Sequence, residues 1–372
     1  MADVYTHLRE LGVAFYFYCK KDLKDINPSY FYNTCTNNIK IPHNLTISMI
    51  AKDSTNFSDR EMQTIKNAFK LAKAISDNFK IQKEPEIIWV GCDTQSDSPI
   101  DLIIDNYKFS LKEESFILEN MGLYKLLNIL LNTNTYNSGM HVFKEFANTE
   151  FENWFHITCN CLLKDGPTTF NKVRTNKYNV TGKLFNNSMM LNYNSSEIVE
   201  FDDISHLQYE EFAKRTNSHL REYVFSKWIK AAVENDENYI QSKKLCAITA
   251  GQNLLKSVKP CEKTSPQSLL RFFRIIDEEY YYAKTTNNSL AIYKVPPAQE
   301  ASKHIVINNI SFEVPKSQLN FYTEILNIKN GNKIVFRNEL RYSHGQFNGT
   351  PEAKCYIDKK FQDLSIMYER LV

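Results

Sequence analysis

Glycine and proline are scarce in this 372-residue chain, at 10 and 11 residues, which is about half their usual share. The shortage excludes collagen-like, linker-like and low-complexity designs. No window holds about 18 uninterrupted apolar residues, and the opening MADVYTHLRELGVAFYFYCKKDL lacks a basic segment followed by a long apolar one. No export signal and no membrane span are expected. The eight cysteines are spread thinly, the opposite of a small disulfide framework, so a cytoplasmic location is expected. There is no Walker glycine loop, GxSxG elbow or HExxH helix, which argues against a P-loop ATPase, an α/β-hydrolase and a zincin. No nucleotide cofactor is expected. No repeat of fixed period occurs, which excludes solenoids and propellers.

What is present suits a globular protein. Hydrophobic residues make up 42% of the chain against 24% charged, enough apolar material to offset folding entropy over two or three domains. The formal net charge is only +2, but it is unevenly distributed. Residues 1–120 carry 14 Lys and Arg against 17 Asp and Glu, whereas residues 214–284 carry 13 against 8. An acidic, metal-binding half followed by a basic, phosphate-tracking half produces such an asymmetry, and so do solvated helix faces.

Local patterns give a coarse element order. Ser58 and Glu61 form a capping-box pair, and Met62, Ile65, Phe69, Ala72, Ile75 and Phe79 follow at helical spacing. EIIWVGC, bounded by Pro85 and a polar loop, reads as a strand over 86–92. Runs 100–105 and 108–114 flank the turn-like Asp105-Asn106 and read as a hairpin, with a helix from Ser115 to about Asn132. HITCNCLL alternates in strand fashion over 156–163, which makes Cys159 and Cys161 core residues rather than zinc ligands. The turn-rich KDGPTTFNKVRTNKYNVTGK places a boundary near 165. Helical patterns follow at 205–235, 241–257 and 265–279, then strand-like runs at 280–284, 289–295, 304–313 and 333–342.

The hairpin carries the most informative chemistry. With a period of two, Asp101, Ile103 and Asp105 share one face of its first strand, and Ser110, Lys112 and Glu114 share one face of its second. Asp101 and Lys112 are therefore expected to meet. A carboxylate that holds Mg²⁺ beside an ammonium that orients water and offsets phosphorane charge is what metal-assisted phosphodiester hydrolysis requires.

This segment resembles the PD-(D/E)XK nuclease superfamily, specifically type II restriction endonucleases. There, an Asp at a strand start is followed across a turn by an acid-x-Lys strand. Asp101 matches the first position and Lys112 the last, and the WVG of Trp89-Val90-Gly91 and the SLK of Ser110-Leu111-Lys112 are similar to variants of that group. The likeness covers roughly the first 165 residues, with a weaker one in RNELRYSHGQFNGTPEAK. It implies an α/β fold with a restriction-endonuclease-like core, in which a helix, three strands, a helix and a strand surround a mixed sheet. An N-terminal extension (1–54), the core (55–165) and an α+β DNA-recognition region (166–372) follow from it. It also implies Mg²⁺ as cofactor, the Leu111 carbonyl as a further ligand, double-stranded DNA as substrate and a homodimer that cuts both strands.

Ser110 departs from that pattern, standing where the superfamily has an acid. The expected substitutes are Glu114 first and Glu86 second. Glu61 already has a role as capping-box partner. In the C-terminal half, IVFRNELRY puts Arg337, Glu339 and Arg341 on one strand face, followed by His344 and Gln346. These residue types read base edges in a major groove, and a surface Arg-Glu-Arg ladder is the other explanation. Leu269 to Arg274 fits a helix that buries its Leu and Phe side chains and turns Arg271 and Arg274 outward. The resulting expectation is a sequence-specific, Mg²⁺-dependent endonuclease. The alternatives are a repair or defence nuclease acting on structured or modified DNA, a catalytically inactive nucleic-acid-binding protein, and an interaction protein with no nucleic-acid role.

Overall fold

The computed structural model describes residues 4–41, 55–91, 98–112, 117–121, 123–137, 139–164, 169–174, 178–194, 197–223, 230–258, 265–342, 346–358 and 369–372. The N-terminal part comprises α1 (Val4–Tyr16), α2 (Pro28–Asn38), β1 (Ile39–Lys40), α3 (Asp59–Asn78), β2 (Ile87–Trp89), β3 (Leu102–Ile104) and β4 (Tyr107–Lys112). The middle comprises β5 (Ile117–Met121), α4 (Leu123–Leu131), α5 (Val142–Lys164), β6 (Thr169–Arg174), β7 (Tyr178–Phe185), β8 (Ser188–Tyr193) and β9 (Glu197–Phe201). Helices α6 (Tyr209–Arg215), α7 (Ser218–Tyr223), α8 (Lys230–Val233), α9 (Glu237–Ser257) and α10 (Pro266–Phe272) follow. The C-terminal part comprises β10 (Tyr280–Thr285), β11 (Leu290–Val295), α11 (Ala298–Ala301), β12 (Ile305–Glu313), β13 (Asn320–Asn327), β14 (Lys333–Arg341), β15 (Glu352–Ile357) and β16 (Glu369–Arg370). Among the described residues, no helix is long and apolar enough to cross a membrane.

The fold is α/β, with one mixed sheet and two antiparallel ones. The mixed sheet runs β1-β2-β3-β4-β10-β11-β16. β1 lies parallel to β2 and β4 parallel to β10, and the other neighbours are antiparallel. The second sheet runs β12-β13-β14-β15-β5, and the third is the meander β6-β7-β8-β9.

One face of the mixed sheet is covered by the N-terminal helices. Leu11, Phe15, Ile65, Leu71 and Ile75 from α1 and α3 share a core with Trp89, Leu102, Phe109, Leu111 and Ala283. The two helices approach closely because Gly12 faces Ala68, where an added Cβ would stand 2.8 Å from the Ala68 Cβ. The opposite face presents Tyr280, Tyr282, Tyr293 and Val295 to a second core, built from α4, α5, α9, α10 and the inner faces of the other two sheets.

Several expected elements take this form. The Ser58/Glu61 capping box forms in full at the start of α3, and the 100–114 region makes the β3–β4 hairpin, with Asp105 at φ 51° in its turn. In α10 and just beyond it, Leu269, Leu270, Phe272 and Phe273 are buried while Arg271 is exposed.

Three readings are corrected. Residues 156–163 are helical within α5 and not a strand. Phe151, Trp154, Phe155, Thr158, Cys159 and Leu162 are buried at three- and four-residue spacing, and the eight-residue window was too short to separate that period from alternation. Residues 117–121 form strand β5 before a shorter helix, α4. The described residues of the turn-rich stretch after 164 lie in strands β6 and β7 of the four-stranded meander; of its described side chains, Leu184, Met189, Leu191, Val199 and Phe201 join the core.

The α1–α3 contact is testable. Gly12→Ala is expected to destabilise the chain by about 1–3 kcal/mol through overpacking. Adding Ala68→Gly should recover part of that loss in a urea-denaturation double-mutant cycle. Additive losses would show that the helices do not meet there.

Candidate active site

The site forms at the ends of three strands. The β3–β4 register pairs Leu102 with Phe109, so one further step sets Asp101 opposite Ser110, with Lys112 two residues beyond on the same face. The Asp101 backbone extends the ladder in both directions. Its N–H donates to the Phe109 carbonyl at 2.9 Å, and its carbonyl accepts from Val90 N–H at 3.0 Å and Gly91 N–H at 2.9 Å.

The Asp101 side chain faces the end of β4. Its Oδ2 accepts from Leu111 N–H at 2.6 Å, from Lys112 Nζ at 3.3 Å and from Ser110 Oγ at 3.5 Å. The Asp101 and Lys112 side chains are 15% and 26% exposed, so the pair is largely shielded while still reached by solvent. Ser110 is buried at 1% exposure, and the Leu111 side chain lies wholly in the core.

A second carboxylate enters from α1. Glu10 is 1% exposed, and its Oε2 accepts from Trp89 Nε1 at 2.7 Å. Gly91 makes room for it. A Cβ placed there would lie 2.6 Å from Glu10 Oε2 and 3.3 Å from the Asp101 Cα, so the missing side chain lets both acids approach one point. Burial, and then the Asp101 charge, push the Glu10 carboxyl up to about 8, while the Trp89 hydrogen bond and the charges of Arg9 and Lys112 draw it down. Two acids whose charges oppose each other at a shielded point form a donor set suited to a cation.

Of the residues singled out from sequence, Asp101, Ser110, Leu111 and Lys112 come together. Glu86 is not brought to them. It precedes β2 at the other end of the hairpin, where Asp105 Oδ1 accepts from its N–H at 3.0 Å and its carboxylate pairs with Lys40. Glu61 is held by its capping box, its Oε2 accepting from Ser58 N–H at 2.9 Å. Glu114 and His344 lie outside the described residues.

On β14, Arg337, Glu339 and Arg341 do share a face, and Glu339 lies 3.7 and 3.9 Å from the two guanidinium groups. Arg337 also stacks over Tyr356 at 4.7 Å. Gln346 lines a cavity beside Arg341.

Glu10 was missed by the sequence reading. It stands 91 residues before Asp101, and no spacing rule links them. The available signal was the Arg9-Glu10 pair set between Leu8 and the apolar run LGVAF, all of it buried in α1. Among the described residues, no group of three or more His, Cys, Asp and Glu side chains gathers to hold a metal. From the described residues, an ion at this point would draw on two carboxylates and backbone oxygen. Comparisons with protein-family models, curated proteins and solved structures return no match to this chain.

The raised Glu10 carboxyl makes folding pH-dependent. The native state holds this proton more tightly than the unfolded chain, so the favourable contribution is complete below about 4.5 and is lost as pH rises to about 8. Relative to Glu10→Gln, the wild-type Tm is expected to fall across that window without added metal. A constant difference over the whole range would mean that Glu10 titrates as an ordinary carboxyl.

Proposed function

We propose that this chain is a Mg²⁺-dependent endonuclease that cleaves double-stranded DNA at specific sequences, in the manner of a type II restriction endonuclease. The observation that carries the reading is the convergence of Asp101, Lys112 and buried Glu10 at the end of the β3–β4 hairpin. The superfamily order is supported if α3, β2, β3 and β4 are followed by α10 and β10. Strand β10 pairs parallel with β4 directly beside Ser110 and Leu111, and α10 shares a core with Tyr280 and Tyr282.

In this reading Asp101, Glu10 and the Leu111 carbonyl would hold the ion, and Glu10, which gives up its proton as the cation binds, would supply the charge that Ser110 does not. Bound Mg²⁺ would contribute Lewis-acid polarisation and a more acidic water. Lys112 orients the attacking water toward the scissile phosphate and offsets the negative charge that grows on it. Asp101 holds the Lys112 ammonium in place through their 3.3 Å contact. Gly91 keeps open the space that Glu10 occupies. Arg337, Glu339, Arg341, His344 and Gln346 are assigned to base recognition, and a homodimer supplies two such sites for the two strands.

Purified protein incubated with plasmid and Mg²⁺ should yield discrete fragments. Lys112→Ala should lower cleavage by about 10²-fold or more while preserving DNA binding, and Ca²⁺ should support binding with little cleavage. Glu10→Gln should weaken Mg²⁺ dependence and turnover together, with partial recovery at high Mg²⁺. Near-wild-type cutting by Lys112→Ala would remove it from the mechanism. An intact plasmid under all conditions would sink the nuclease reading itself.

A further inference from the structure

A cavity of about 200 Å³ opens between the first turns of α9, the turn 315–317 before β13 and the end of β14. Its polar rim is Lys243, Lys316, Ser317, Gln318, Arg341 and Gln346, over a floor that includes Trp154 and Tyr342. The hairpin that carries Asp101 and Lys112 belongs to a different sheet, so the catalytic assignment does not bear on this cavity, but the cavity shares Arg341 and Gln346 with the residues assigned above to base recognition and to that extent rests on that reading.

Five features set it apart from an ordinary surface dent. No acidic residue lines it. Glu339, the carboxylate beside Arg341, is already shared among Gln318 Nε2 at 2.8 Å, Arg337 at 3.7 Å and Arg341 at 3.9 Å, which leaves positive charge in excess. Lys243 packs over the Trp154 ring at 5.9 Å with no carboxylate in ion-pair range among the described residues, and its burial lowers the affinity of its amine for the proton. Arg341 Nε is buried with no hydrogen-bond partner among the described residues. Finally, Lys316 and Ser317 both adopt left-handed backbone, at φ 49° and 63°. Two successive non-glycine residues there are strained and need a reason to persist. This turn is held against α9, where Ser317 Oγ lies 3.5 Å from the Ile240 carbonyl.

We propose that this cavity is a binding site for a phosphate group carried by a nucleotide, either free or within a nucleic-acid strand, with Lys243, Lys316 and Arg341 as its cationic ligands. A phosphate supplies an acceptor for the buried Arg341 Nε and a counter-charge for Lys243. Its charge stabilises Lys243 in the protonated form. The volume is smaller than that of most drug-sized sites, which suits a phosphate and its immediate substituent.

The test uses the full chain, with melting temperature read in sodium phosphate and in sodium chloride of equal ionic strength. Phosphate should raise the wild-type Tm by about 2–4 °C beyond chloride. The shift should vanish in Lys243→Met, which keeps the packing over Trp154 and removes the charge. An equal shift in both proteins, or none in the wild type, overturns the proposal. Should Lys243→Met fail to fold, Lys316→Gln on the exposed turn replaces it, with phosphate affinity measured by calorimetry. A loss of about tenfold is expected from removing one charged ligand, and unchanged affinity overturns the site. Acylation of Lys316 then separates the two sources. Protection by adenosine 5′-monophosphate alone assigns a free nucleotide, protection by a short DNA duplex assigns a strand phosphate, and protection by neither overturns the site.

Discussion

Asp101 is the residue on which the geometry of the candidate site depends. Its N–H and carbonyl join β4 to the chain just after β2, and its side chain accepts the Leu111 N–H. Backbone and side chain thus fix the ends of three strands against one another. The carboxylate cannot rotate away without leaving a shielded N–H unsatisfied, which carries a penalty of about 1–3 kcal/mol. A charged group held in that way is already oriented before any ligand arrives.

The second carboxylate ties the site to the N-terminal core. Glu10 sits on α1 among Leu8, Leu11 and Phe15, and α1 is located by its close approach to α3 at Gly12 and by the edge-to-face and tilted rings around Phe15. Packing of α1 therefore decides where a buried carboxyl stands relative to Asp101. The charges of Arg9 and Lys112 favour its ionised form, but they do not outweigh burial. A helix first read as part of an N-terminal extension is thereby a structural part of the site.

The mixed sheet and the five-stranded sheet are adjacent along the chain. β4 ends at Lys112, and β5, an edge strand of the second sheet, begins at Ile117. On that second sheet the Arg337, Glu339 and Arg341 face is partly exposed, and its ion pairs are long. Pairs of this kind contribute about 0–1 kcal/mol to stability, so little holds these arginines back from another anionic partner. Their side chains nonetheless stand in a definite frame, because Arg337 is flanked across the sheet by Tyr322 and Tyr356.

Local signals in the sequence determined the α3 capping box, the β3–β4 hairpin and the meeting of Asp101 with Lys112. Each depends on residues within about a dozen positions of one another, where helical and strand periods fix which side chains share a face. The burial pattern of α10 was legible for the same reason. The identity of α5 was not, since no residue from Trp154 to Leu163 is exposed, and a segment without an exposed stripe does not show its helical period. Nor was the meander, where among the described side chains β8 and β9 alternate buried residues such as Leu191 and Phe201 with exposed ones such as Met190 and Glu200 over short spans. Only the tertiary structure decided that β10, about 170 residues after β4, would lie parallel to it, and that Glu10 rather than Glu86 would stand beside Asp101. Those choices come from the packing of distant apolar faces, which no local spacing encodes, and from the absence of a side chain at Gly91, which matters only once α1 has been laid across the strand ends.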